Sequence, residues 1–136
     1  MVDRKWIEEL EEKTAEELIL VGEEYQEAGK HEEAIEIYKA IVRKEPLLHT
    51  LAKVCNDCGV AYASLEQYDM AIGFFNAALN LSGYLIDEGI STCYNLGRVY
   101  RITRDEEKAQ QYFRRAERLE EDQKDRNEVA RCICST

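Results

Sequence analysis

Three glycines recur in the same company along this chain. Gly22-Glu-Glu-Tyr25, Gly59-Val-Ala-Tyr62 and Gly97-Arg-Val-Tyr100 each set a tyrosine three residues after the glycine. Twelve residues after each glycine stand Ala34, Ala71 and Ala109, and sixteen after it stand Tyr38, Phe75 and Phe113. A unit repeated at such a period cannot bury its apolar face alone and must stack on its neighbours. The core is then continuous along the stack, and function belongs on the surface that stacking creates. Binding is the first expectation.

These spacings resemble the tetratricopeptide repeat, a helix–turn–helix of about 34 residues with small residues at its eighth, twentieth and twenty-seventh positions. With each glycine at position eight, the repeats frame as 15–48, 52–85 and 90–123. Pro46 falls at position thirty-two of the first repeat, where the family ends its second helix. Ala78 and Ala116 fill position twenty-seven of the second and third, and Ile41 stands there in the first. The resemblance implies an all-α, right-handed α-solenoid of three helix–turn–helix repeats with short flanking helices. Successive glycines are 37 and 38 residues apart, three or four beyond the family period. Each junction therefore carries either about one extra helical turn or a longer connection.

The same frame predicts first helices near 15–29, 49–65 and 86–103, with partners near 31–44, 68–82 and 106–121. Thr14 and Glu17 form a capping box at the start of the first repeat. Gly29-Lys30-His31 and Gln67-Tyr68-Asp69 mark tight turns within the pairs. Residues 1–14 read as an N-terminal capping helix or half-repeat, with Trp6, Ile7 and Leu10 on one helical face. Residues 124–136 read as a C-terminal capping helix or tail, because Val129, Cys132 and Ile133 resume helical spacing after Glu120–Glu128, which has no apolar residue. An uncovered solenoid end exposes apolar surface and invites a homodimer through the ends.

A net charge of −10 argues against a nucleic-acid binder, since phosphate backbones demand a concentrated basic surface. No apolar run approaches the ~20 residues of a membrane span, and Met1-Val-Asp-Arg-Lys-Trp6 lacks the apolar centre of a signal peptide. The expected location is cytoplasmic. Cys55-Asn-Asp-Cys58 has the spacing of a redox or metal pair, but it falls at packing positions four and seven of a helix, and Cys93 is also at position four. All three are expected to be small buried hydrophobes. Cys132 and Cys134 alone cannot close a tetrahedral zinc site, so neither metal nor cofactor is expected. His31 and His49 lie at a turn and beside the Pro46 break, and no Ser–His–Asp order, HExxH helix or GxxxxGK[ST] loop is present. No catalytic residue is assigned, and the chain is not read as an enzyme.

What remains is the concave groove, which in this family is lined by positions two, five, nine and twelve of each first helix. The resemblance carries these onto Glu16, Ile19, Glu23 and Gln26; Lys53, Asn56, Val60 and Ala63; and Ser91, Tyr94, Arg98 and Arg101. The groove is then acidic at its N-terminal end, nearly neutral in the middle and basic at its C-terminal end. Asn56, and Asn95 beside Tyr94, offer hydrogen bonds to a peptide backbone. The same residues also fit an ordinary hydrophilic surface. The leading expectation is a protein-interaction module that takes a partner peptide or helix, acidic where it faces repeat three. Its candidate site residues are Asn56, Tyr94, Asn95, Arg98, Arg101, Lys53, Ile19 and Glu23. The alternative is a structural self-assembly module that uses the stacked ends.

The family's best-known specific role, capture of a chaperone C-terminal carboxylate, uses two lysines, an arginine and two asparagines. At those positions this chain carries Ile19, Glu23, Asp57, Ser91 and Asn95. A carboxylate there would meet repulsion in place of charge-assisted hydrogen bonds. Peptides ending in the acidic chaperone motif should therefore bind no better than scrambled controls by fluorescence polarisation. Low-micromolar binding that is lost on blocking the peptide carboxylate would refute that reading of the groove.

Overall fold

The interval between each glycine and its aromatic is a packing contact between two helices. The computed structural model describes residues 3–135. Within them run α1 (Arg4–Glu11), α2 (Ala15–Glu27), α3 (His31–Arg43), α4 (Leu48–Ser64), α5 (Tyr68–Asn80), α6 (Ile90–Ile102) and α7 (Glu106–Cys134), with a 3-10 turn at Ser82–Tyr84. The helices pair as α2 with α3, α4 with α5 and α6 with α7. Successive pairs stack through α3 on α4 and α5 on α6. A Cβ built on Gly22, Gly59 or Gly97 would stand 2.6, 2.6 and 2.5 Å from the rings of Tyr38, Phe75 and Phe113. The bare glycine backbone is what lets each ring sit down between the paired helices. Ala34, Ala71 and Ala109, all fully buried, keep the same seam narrow.

The tyrosine of each phrase has two further tasks. Its carbonyl closes the turn within the pair: the N–H groups of Lys30, Gln67 and Asp105 donate to Tyr25, Tyr62 and Tyr100 at 2.9, 3.0 and 2.8 Å. One residue earlier in each turn, Gly29, Glu66 and Arg104 hold φ of 77°, 60° and 66°, the left-handed residue of a Schellman-type helix end. Its ring also stacks on a second aromatic. Tyr62 meets Phe74 at 5.4 Å and Tyr100 meets Tyr112 at 5.6 Å between centroids. The first repeat has Ile37 where these have a ring, and there Trp6 of α1 supplies it, 5.7 Å from Tyr25. Leu10 of the same helix is buried, and Lys44 Nζ donates to the Glu11 carbonyl at 2.7 Å. Helix α1 thus covers the start of the stack.

The two junctions use different geometries. At the first, α4 begins at Leu48, four residues ahead of the repeat frame, and so carries one extra turn. At the second, residues 81–89 form a longer connection, and α6 begins at Ile90, four residues later than the pattern predicts. Glu88 and Gly89 there take φ of 59° and 96°, which a helix cannot contain. Asp87 accepts hydrogen bonds from the N–H groups of Gly89 (3.0 Å) and Ser91 (2.8 Å), fixing the start of α6. Partial burial works to raise the Asp87 pKa, but these bonds outweigh it and hold the carboxyl below its ordinary range.

The C-terminal segment differs from expectation. Residues 124–134 are neither a separate capping helix nor a loose tail, because α7 continues without a break to Cys134. No glycine or proline interrupts its Glu-, Gln-, Lys- and Arg-rich sequence. Arg126 anchors it by donating to both carboxylate oxygens of Glu88, at 2.9 and 2.8 Å. Beyond Arg126 every described residue is exposed.

The glycine seats make a direct test. Gly59→Ala should lower the unfolding free energy measured in urea by about 1–3 kcal/mol, since the Phe75 ring has to be pushed out of its seam. Gly73→Ala, on the open side of α5 where a Cβ meets nothing within 4 Å, should instead stabilise by about 0.5–1 kcal/mol. Equal effects of the two substitutions would contradict the packing role.

Candidate partner-binding face

Helices α2, α4 and α6 present one edge of every pair to the same side, and two polar clusters join them across the repeats. In the first, Lys53 Nζ lies 2.9 Å from Glu23 Oε1 and 2.8 Å from Asp57 Oδ2. Burial opposes the charge on Lys53, but its bonds to Asp57 and Glu23 outweigh that and hold its pKa above the ordinary lysine value. Asp57 is the most enclosed of the three. Burial lifts its carboxyl above the usual range despite the hydrogen bond from Lys53. These groups line a recess of about 270 Å³ together with Gln26, Glu27, Tyr38 and Val60. Three carboxylates and one ammonium line it, so the recess between repeats one and two is acidic. The near-neutral middle read from single positions becomes acidic because Asp57, one residue on from Asn56, turns into it.

In the second cluster, Asn56 Oδ1 accepts from Thr92 Oγ1 at 2.8 Å and from Asn95 Nδ2 at 3.4 Å, and Asn95 Oδ1 accepts from Arg98 at 3.0 Å. A single polar chain therefore runs from α4 into α6, and the side chain of Asn56 is committed to holding the two repeats together. Thr92, 1% exposed, is the residue the sequence reading passed over. Its only advance signal was a small hydroxyl residue at the frame position where repeat two has the buried Val54.

The C-terminal end of the face is built on Phe113. Tyr94 tilts against that ring at 6.1 Å between centroids, and the Arg101 guanidinium lies 4.8 Å over it. Arg101 also reaches Glu106 Oε1 at 3.2 Å. Hydrogen bonds from Gln110 and Arg101 hold the Glu106 carboxyl below its ordinary value. The Tyr94 hydroxyl faces Glu120 of α7, whose carboxylate raises its pKa. Arg98 makes no ion pair among the described residues and is exposed. Ile19 is half-buried against the core, one helical turn before Glu23, and takes part in neither set of polar bonds. The structure thus brings Glu23 with Lys53, and Asn56 with Asn95 and Arg98. Tyr94 and Arg101 meet only through the ring between them.

The thiols divide by depth. Cys55, Cys58 and Cys93 are buried, while Cys132 and Cys134 are exposed. Burial pushes the Cys58 thiol up to about 12 and raises those of Cys55 and Cys93, which makes all three poor nucleophiles at neutral pH. Among the described residues no group of three His, Cys, Asp or Glu side chains is arranged to hold a metal ion, and no helix is long and apolar enough to cross a membrane.

A double-mutant cycle tests the structural role of Asn56. Asn56→Ala should cost about 1–3 kcal/mol by leaving the buried Thr92 hydroxyl without its acceptor. Combined with Thr92→Val, the loss should be well below the sum of the two single losses. Strict additivity in chemical denaturation would show that the Asn56–Thr92 bond carries no stability.

Comparison with known proteins agrees with this architecture. No curated protein matches the chain. A family model described as tetratricopeptide repeat matches residues 18–43, 52–83 and 90–123, well over half of the length, and each match spans one of the three helix pairs. The chain belongs to the tetratricopeptide repeat family.

Proposed function

We propose that this protein captures a protein partner, peptide or helix, along the face formed by α2, α4 and α6. Tetratricopeptide repeats are in general protein-interaction modules, and the reading here is of a non-catalytic one acting in the cytosol, where its thiols stay reduced. The observation that carries the proposal is the separation of charge along this face. Glu23, Glu27 and Asp57 line one recess with a single lysine at one end, and Arg98 and Arg101 stand exposed at the other.

Lys53 and Asn56 differ from Arg98 and Arg101 in how firmly they are held. Lys53 and Asn56 are held by neighbouring repeats, and recruiting them would require breaking bonds that join those repeats. Arg98 lacks a carboxylate partner among the described residues, and Arg101 is held over Phe113 by a cation–π contact and one exposed carboxylate. An exposed pair of that kind is worth at most about 1 kcal/mol, so a partner carboxylate can compete for the guanidinium. The partner would place acidic side chains against Arg98 and Arg101, next to the Tyr94 ring, and a basic one towards Glu23, Glu27 and Asp57.

Arg98→Glu combined with Arg101→Glu should abolish capture in a pull-down from a cell extract, with circular dichroism and melting temperature nearly unchanged. Raising salt should weaken wild-type capture, as expected of partly exposed charge pairs. Undiminished capture by the double variant would move recognition off this face.

A further inference from the structure

A second recess lies apart from the arginine pair. It is a cavity of about 260 Å³ enclosed by α3, α4 and α5, with walls of Tyr38, Val42, Val54, Cys55, Cys58 and Phe74. Its walls are almost wholly apolar and it opens to the outside, for Val42 at its mouth is 42% exposed. Lys39 and Arg43 flank the opening on α3, and among the described residues Lys39 has one ion pair, a long contact of 3.6 Å with Glu36. A dry cavity of ~150 Å³ holds a benzene ring, so this one has room for one or two aliphatic side chains. Its chemistry suits an apolar anchor with acidic neighbours.

The same molecule carries such an anchor. On the part of α7 that leaves the helix pairs, Val129, Cys132 and Ile133 form an apolar stripe, and Asp125 and Glu128 border it on the same face. Val129 is 59% and Ile133 69% exposed. α7 is one unbroken helix, and every described residue beyond Arg126 is exposed, so this stripe lies on the surface of its own chain. We propose that the cavity receives the acidic-apolar face of α7 from a second copy of the chain. Val129 and Ile133 enter between Tyr38 and Phe74, while Asp125 and Glu128 face Lys39 and Arg43. The contact joins two different surfaces, so each copy keeps one cavity and one helix end free to recruit another. Such a contact is small beside the ~1,200 Å² of stable complexes, so it should be weak and show itself only at high protein concentration. It shares no residue with the arginine pair, and its failure would leave the groove reading standing.

Sedimentation velocity of the 136-residue chain across concentration, with two variants, decides it. Val129→Asp with Ile133→Asp removes the anchor, and Lys39→Glu with Arg43→Glu reverses the rim. Both pairs change surface residues, and helicity by circular dichroism verifies folding. The expected result is wild-type mass that grows with concentration and two variants that are each monomeric alone. Mixed in equal amounts, the variants should form a 1:1 dimer and nothing larger, because the pair retains one working helix end and one working cavity. Three outcomes would overturn the proposal. These are a wild type that stays monomeric into the millimolar range, a rim variant that self-associates as wild type does, or a mixture that yields no dimer.

Discussion

The contact of an aromatic ring with a bare glycine backbone is the constraint on which the rest of this structure depends. At Gly22, Gly59 and Gly97 any side chain would overlap the ring of Tyr38, Phe75 or Phe113. With no Cβ in the way, two helices approach closely enough for alanine at position twenty to be fully buried between them. The close seam brings the helix ends together, and the turn then closes on the carbonyl of the tyrosine three residues after each glycine. A single choice of residue thus sets the pairing distance, the turn and the register of the partner helix. Because the repeats bury their remaining apolar faces only on one another, that choice is propagated along the chain.

Stacking three such pairs leaves the ends to be settled by other means. At the N-terminal end, Trp6 supplies to Tyr25 the aromatic that later repeats carry on their own second helix. At the C-terminal end, α7 runs on past the body, tied back by Arg126 and Glu88. One end is covered by a helix, and the other projects one. That asymmetry suits the proposed contact between unlike surfaces.

Polar groups on the α2–α4–α6 edge divide between cohesion and availability. Lys53 and Asn56 each bridge successive repeats, replacing part of the apolar contact that would otherwise join their first helices. Arg98 and Arg101 bridge nothing of comparable depth. Charge on the outer edge of a stack loses little solvation, so it can be held ready for a partner at small cost to stability. An acidic recess at one end and a cationic pair at the other would give direction to the partner proposed for this face.

The glycine, tyrosine, alanine and aromatic spacings by themselves determined the three helix pairs, their order and the burial of Cys55, Cys58 and Cys93, because each spacing encodes a contact within one pair. Of the edge positions carried by the repeat frame, Glu23, Gln26, Lys53 and Val60 line one recess, together with Glu27, Tyr38 and Asp57, which the frame did not place there. Partners across repeats were not legible: Asn56 with Thr92 and Lys53 with Glu23 are brought together by stacking, which depends on how each junction is built. Nor did the junction length say which geometry it would take. Pro46 ends the first connection early and α4 gains a turn, whereas Asp87, Glu88 and Gly89 hold the second open. The unbroken course of α7 was hidden for a related reason. A run of charged residues reads as a gap in an apolar pattern, yet those residues are good helix formers, and the Glu88 carboxylate that anchors Arg126 comes from a loop 38 residues earlier. Local spacing fixes what one helix pair must bury, and only the assembled stack decides which polar groups are left facing one another.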